Sequence, residues 1–161
     1  MAKVTYDFED ELRIDAVDIA EEMIGKFEKA VVEFASTVIN KSPIGIEDSE
    51  GNYQANWQIA SKENDNVLDG RFKAGVAYSK SKLEGKYKYG KDITMYLFNN
   101  SPQANVIEYG GYKKNPKQGT WNKYKKAYEI RSLSGFSKQA PQGHVRINLQ
   151  KLNEKLRVLA Q

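Results

Sequence analysis

The side chains able to move a proton or hold an ion at neutral pH are few. The chain has one histidine, His144, and no cysteine. Without thiols there is no disulfide, no Cys-based zinc site, no iron–sulfur cluster and no thiol nucleophile. One imidazole cannot build a multi-histidine metal site, although a Ser-His-Asp set remains countable. His144 falls near the start of a predicted helix, where the dipole disfavours its cation. The nearest acids in sequence, Glu129 and Glu154, lie more than a turn away. A surface or helix-start role is therefore expected for it. Glu9-Asp10-Glu11 and Glu21-Glu22 fall on the polar face of a long helix and read as solvated charge. Glu47, Asp48 and Glu50 around Gly51 lack the alternating spacing and terminal Glu of a calcium loop. No G-x-G-x-x-G follows a strand, and no Gly-rich loop ends in Gly-Lys-Ser/Thr. The expectation is a protein that is not an enzyme, with no metal and no cofactor. A hydrolase acting through a carboxylate is the outlying alternative.

Two basic segments carry a different chemistry. Lys80, Lys82, Lys86 and Lys88 lie in the first, and Lys113, Lys114, Lys117, Lys123, Lys125 and Lys126 in the second. From Lys80 to Arg131 there are 12 basic and 4 acidic residues, interleaved with Tyr87, Tyr89, Tyr112, Trp121, Tyr124 and Tyr128. Cations between aromatics suit phosphate neutralisation and base stacking, so a nucleic-acid-binding module is one reading. No RRM, KH or helix-turn-helix pattern surrounds them, and basic loops on a subunit of an assembly have the same composition. These lysines are the expected contacts with a partner or with DNA. The charge is split along the chain. Residues 1–60 carry 5 basic and 13 acidic side chains, a net of −8, and residues 61–161 carry 20 and 8, a net of +12. Such asymmetry fits a basic face that meets phosphates, an acidic protein, or the acidic face of another copy.

These segments need elements to hold them. The 161 residues read as one domain, 1–161, with 79–92 and 112–127 as mobile basic loops inside it. No run approaches the roughly 20 apolar residues of a membrane span, and the N-terminus does not read as a signal peptide. Ala16, Ala20, Met23, Phe27, Val31, Phe34 and Val38 predict a helix over about 15–40, capped by Asp15 and ended by Ser42-Pro43. A short strand or loose arm is expected at 4–8, and a loop at 44–52. Alternation predicts strands at 53–60, 72–78 and 93–98, and Tyr128 and Ile130 begin an edge strand. Residues 104–109 form a short helix or extended segment, stopped by Gly110-Gly111. The turn Glu108-Tyr109-Gly110-Gly111 is expected to be structural, with Gly110 at positive φ and Glu108 paired locally. Val145, Leu149, Leu152, Leu156 and Leu159 predict a last helix over about 142–160, entered through Pro141. The fold class is α+β: an antiparallel sheet with the long N-terminal helix and the C-terminal helix packed on one face.

Four pieces then stand in a telling order. A long amphipathic helix closes on Ser42-Pro43-Ile44, and Asn56-Trp57 opens a strand. Phe98-Asn99-Asn100-Ser101-Pro102 leads to Ile107-Glu108-Tyr109-Gly110-Gly111. Gly143-His144-Val145-Arg146 opens the last helix. Over about residues 15–160 this resembles the minor tail components of long-tailed bacteriophages, the tail-completion and tail-terminator (neck) proteins similar to protein Z of lambdoid phages. That family's first loop carries Asp-Thr-Gly, where this chain has Gly45-Ile46-Glu47. Its Gly-Met-Val-Arg stands here as Gly143-His144-Val145-Arg146. The resemblance implies a virion protein of the head–tail junction, assembled in the host cytoplasm. It implies a ring, typically a hexamer, that meets the tail tube protein and the head-completion or connector protein, with DNA passing through the lumen.

Overall fold

The computed structural model describes residues 8–44, 52–62, 71, 73–122 and 125–161. It is an α+β fold whose core is built around the C-terminal half of one long helix. Helix α1 spans Phe8–Asn40. At 1.5 Å per residue its 33 residues extend about 50 Å. Its first buried side chain among the described residues is Ala30. Ala35, Val38 and Ile39 then join Tyr53, Trp57, Ile59, Leu83, Ile107 and Ala140 in one apolar core.

A short 3-10 turn, Gln54–Asn56, leads into strand β1 (Trp57–Ala60), which pairs antiparallel with β2 (Tyr96–Asn99), Trp57 opposite Asn99 and Ala60 opposite Tyr96. Helix α2 (Gly75–Leu83) lies between them in sequence and packs on α1. Helix α3 (Ala104–Tyr109) follows β2. Strands β3 (Thr120–Asn122) and β4 (Ala127–Glu129) form a hairpin. A second, tight hairpin joins β5 (Ser132–Leu133) to β6 (Phe136–Ser137). Its turn places Ser134 at φ 51° and Gly135 at φ 88°, the left-handed pair that matches the twist of a two-residue hairpin. Helix α4 (Val145–Leu159) returns along α1. Among the described residues no helix is long and apolar enough to cross a membrane.

Several sequence expectations need correction. Among the described residues the antiparallel pairs are three separate two-stranded ribbons, not one sheet. Helix α1 starts at Phe8, so Asp15 lies inside it rather than at its cap. The strand expected at 53–60 begins only at Trp57, after the 3-10 turn. The strand expected at 72–78 is replaced by helix α2. Its buried stripe is Gly75, Ser79 and Leu83, four residues apart, and small residues give no apolar periodicity to read. They serve close approach instead: a Cβ at Gly75 would sit 2.4 Å from Asn40 Oδ1 and 2.9 Å from the Ser36 carbonyl. The Gly75 N–H donates to that Asn40 oxygen at 3.0 Å. Consequently the expected loop 79–92 begins as helix, with Lys80 and Lys82 in its last turn. The expected loop 112–127 contains β3 and the start of β4. The expectations for 4–7 and for most of the 44–52 loop lie outside the described residues.

Candidate functional site

The end of α1 is where distant segments meet. Ser42 Oγ donates to the Val38 carbonyl, a group of the helix's last turn, at 2.7 Å. The Trp57 indole N–H donates to Ser42 Oγ at 2.6 Å. His144 is 7% exposed, and its Nε2 stands 2.8 Å from the Val38 carbonyl and 3.4 Å from Ser42 Oγ. A carbonyl can only accept, so Nε2 carries the proton. Ser42 and His144 thus both donate toward one backbone oxygen. The imidazole nitrogen that faces the serine is not a base, and this Ser–His pair holds a helix end rather than activating a nucleophile. Gln54 Nε2 donates to the Ile39 and Asn40 carbonyls at 3.4 and 3.3 Å and completes the cap.

The second half of the junction centres on Glu108. Its Oε2 accepts the N–H groups of His144 and Val145, each at 2.8 Å. Its Oε1 accepts the N–H of Arg146 at 2.9 Å and the Arg146 Nε at 3.0 Å. Arg146 Nη2 donates to the Glu108 carbonyl at 2.7 Å. One carboxylate therefore caps α4, where the helix dipole favours an anion, and forms an ion pair as well. The expected local pairing is corrected: the partners lie 36 to 38 residues away. Burial pushes this carboxyl up. The hydrogen bonds from the His144, Arg146 and Val145 backbone and from the Arg146 side chain outweigh it, and the group ends below its ordinary value. Gly143 stands at φ 86°, and a Cβ there would lie 2.7 Å from the Glu108 carbonyl oxygen. Burial also pushes the Tyr53 hydroxyl up, and the Glu108 charge adds to it.

The rest of the expected turn is structural in form. Gly110 has φ 82° and donates to the Val106 carbonyl, ending α3. Gly111 donates to the Gly135 carbonyl at 2.9 Å, which ties α3 to the β5–β6 hairpin. Tyr109 is exposed, with the Arg146 guanidinium 5.4 Å from its ring centre.

The lysines fall into two groups. Lys80, Lys82, Lys86 and Lys88 are exposed along α2 and the turn after it. Lys82 stands 5.9 Å from the Tyr78 ring centre. That turn is docked on α1: the Gly85 N–H donates to Glu28 Oε2 at 2.8 Å, and Tyr87 meets Phe27 edge to face at 5.2 Å. In the second group Lys113, Lys114, Lys117, Lys125 and Lys126 are exposed, and Lys123 lies outside the described residues. The segment carrying Lys113 and Lys114 runs beside the β5–β6 hairpin, with Ser134 N–H donating to the Lys114 carbonyl at 3.0 Å. Trp121 and Tyr128, 48% and 55% exposed, form an edge-to-face pair at 5.1 Å on the β3–β4 hairpin.

Glu129 holds that hairpin together. It accepts from Asn122 Nδ2 at 2.9 Å, Lys125 Nζ at 2.7 Å and Arg131 Nη2 at 3.1 Å. The Asn122 and Lys125 hydrogen bonds bring its carboxyl down to about 2 against an opposing desolvation effect, with Arg131 and the Lys125 charge adding to them. A depressed carboxylate contributes fully above its unfolded value of 4.5 and loses that contribution as pH falls toward 2. The Trp121 indole resonance should therefore hold its position from pH 7 to 4.5 and move between 4.5 and 2. Glu129→Gln should show the shifted resonance already at pH 7.

Sequence reading missed Ser42 and the Val38 carbonyl as partners of His144, Trp57 as the donor to Ser42, and Glu108 as the cap of α4. The signal was the grouping of Ser42-Pro43, Asn56-Trp57, Glu108 and Gly143-His144-Val145-Arg146 in one motif set. Among the described residues no group of three or more His, Asp or Glu side chains is placed to hold a metal ion. No family model, curated protein or solved structure matches the chain.

Proposed function

We propose that this chain is a structural protein of the phage head–tail junction. It caps the end of the tail tube, stops its growth and offers the surface to which the head connector attaches. The observation that carries the reading is convergence. The separate pieces on which the resemblance to tail-completion and terminator proteins rests meet at the junction of α1, β1, α3 and α4. They fix the relative positions of the long helix and the last helix, as a rigid ring subunit requires. Lysine-bearing surfaces stand on opposite sequence flanks of that junction and are free to meet the tube, the connector or DNA in the lumen. Seating a ring on the last tube layer removes the surface on which the next layer would add.

Gold-labelled antibody against the chain, applied to purified phage and to isolated tails, tests this. One label at the head-proximal end of the tail is the expected result. Label along the tube, at the distal tip, or absent from virions contradicts it. A second reading has its own observation: the Trp121–Tyr128 pair is exposed in a lysine-rich segment, a composition that suits base stacking. That reading requires single-stranded DNA binding that weakens steeply with salt.

A further inference from the structure

Two exposed surfaces of the chain complement each other in charge and in apolar content. The first is the outer part of α1. From Ala30 back to Phe8 the helix continues for about 33 Å at 1.5 Å per residue, and no described side chain on that stretch before Ala30 is buried. Ile19 and Met23, one turn apart on one face, are 62% and 44% exposed. Asp15 continues the same face, and Asp18 and Glu22 flank it. The turn after α2 covers Phe27 and Glu28, and before them Ile19 and Met23 remain an exposed apolar stripe with acidic edges.

The second surface is the ribbon formed by 113–119 and the β3–β4 hairpin. It presents the exposed Trp121–Tyr128 pair and, along the same segment, the exposed Lys113, Lys114, Lys117 and Lys126, the first two beside the β5–β6 hairpin. Between 112 and 126 the sequence has six lysines and no acid. An aromatic pair in a lysine-rich, acid-free segment is the counterpart of an apolar stripe with acidic edges.

We propose that the outer half of α1 docks on the Lys/Trp/Tyr ribbon of a second copy of this chain. The two surfaces differ, so the contact is heterologous and repeats head to tail until it closes. This deepens the ring reading above by naming the contact that would build it. The charge split of the whole chain favours a second copy over nucleic acid, because the acidic segment provides the matching surface in equal number.

Two exposed variants test it by charge exchange. In one, Asp15→Lys and Asp18→Lys make the helix basic. In the other, Lys113→Glu, Lys114→Glu and Lys117→Glu make the ribbon acidic. Circular dichroism should show unchanged helix content in both. In sedimentation velocity across a concentration series, wild type should associate, and each variant alone should need at least about tenfold higher concentration. An equimolar mixture of the two variants should recover association, because each reversed surface meets its reversed counterpart. Association of either variant at the wild-type concentration overturns the proposed contact and leaves the ring reading in place. So does a mixture that stays dissociated. Wild type that is monomeric at every concentration overturns both. A ribbon variant that keeps wild-type association but loses single-stranded DNA binding overturns the contact in favour of a nucleic-acid surface.

Discussion

Glu108→Gln should lower the unfolding free energy by about 2–4 kcal/mol and the Tm by roughly 10 °C. The carboxylate serves four donors with two oxygens: His144 and Val145 on one, Arg146 backbone and side chain on the other. Glutamine has one carbonyl oxygen. Whichever pair it serves, its NH2 group faces the other pair, donor against donor. Two donors then lose their partner, each at a cost of about 1–3 kcal/mol where buried. The half-exposed Arg146 side chain reduces the total, because water reaches it. Acid provides the internal control. The folded-state carboxyl lies below 4.5, so its contribution is complete above that pH and fades as pH falls through the folded value. The Tm difference between wild type and Glu108→Gln should be largest near neutrality and shrink steadily below pH 4.5. A difference that persists unchanged at pH 2 would mean the residue acts through shape and not charge.

Trp57→Ala should cost about 3–5 kcal/mol, the range for deleting a large buried aromatic. The ring is 3% exposed, meets Tyr53 edge to face at 5.4 Å, and donates its N–H to Ser42. Two smaller changes separate packing from hydrogen bonding. Trp57→Phe keeps a ring and removes the donor. Ser42→Ala keeps the indole, strands its N–H in the core and removes one donor from the Val38 carbonyl, at about 1–3 kcal/mol. If the hydrogen bond is the shared element, the double variant Ser42→Ala/Trp57→Phe should cost less than the two singles added together. Additive costs in urea denaturation would show that the indole N–H and the serine act separately.

The parts of the fold legible in the sequence are those where large apolar side chains carry the period. The stripe through Ala35 and Val38 gave α1, and the 4-3-4-3 spacing from Val145 to Leu159 gave α4. Helix α2 was hidden because its buried positions are Gly75, Ser79 and Leu83, and two of the three have almost nothing to bury. Phe72, Ala74, Val76 and Tyr78 then mimic alternation, although Val76 is 52% exposed. The β5–β6 hairpin was hidden because each strand has two residues, too short for any period. Its Ser134-Gly135 turn was the readable sign. The junction was half legible. Gly110-Gly111 reads as a helix stop from local chemistry. Glu108 does not read as a cap, because its donors come from the other end of a long connection and no local rule spans that distance. His144 reads as a helix-start residue, and it does stand just before α4, but the carbonyl it satisfies belongs to α1.

The proposed function is to complete the tail and join it to the head. Electron microscopy of lysates from a phage lacking the gene, with a tail-length histogram, tests it most directly. The account predicts tails without heads. Overlong tubes would assign the chain the terminator role, and tubes of normal length would assign it a completion role after growth has stopped. Joined, infectious particles with normal tails would contradict the account.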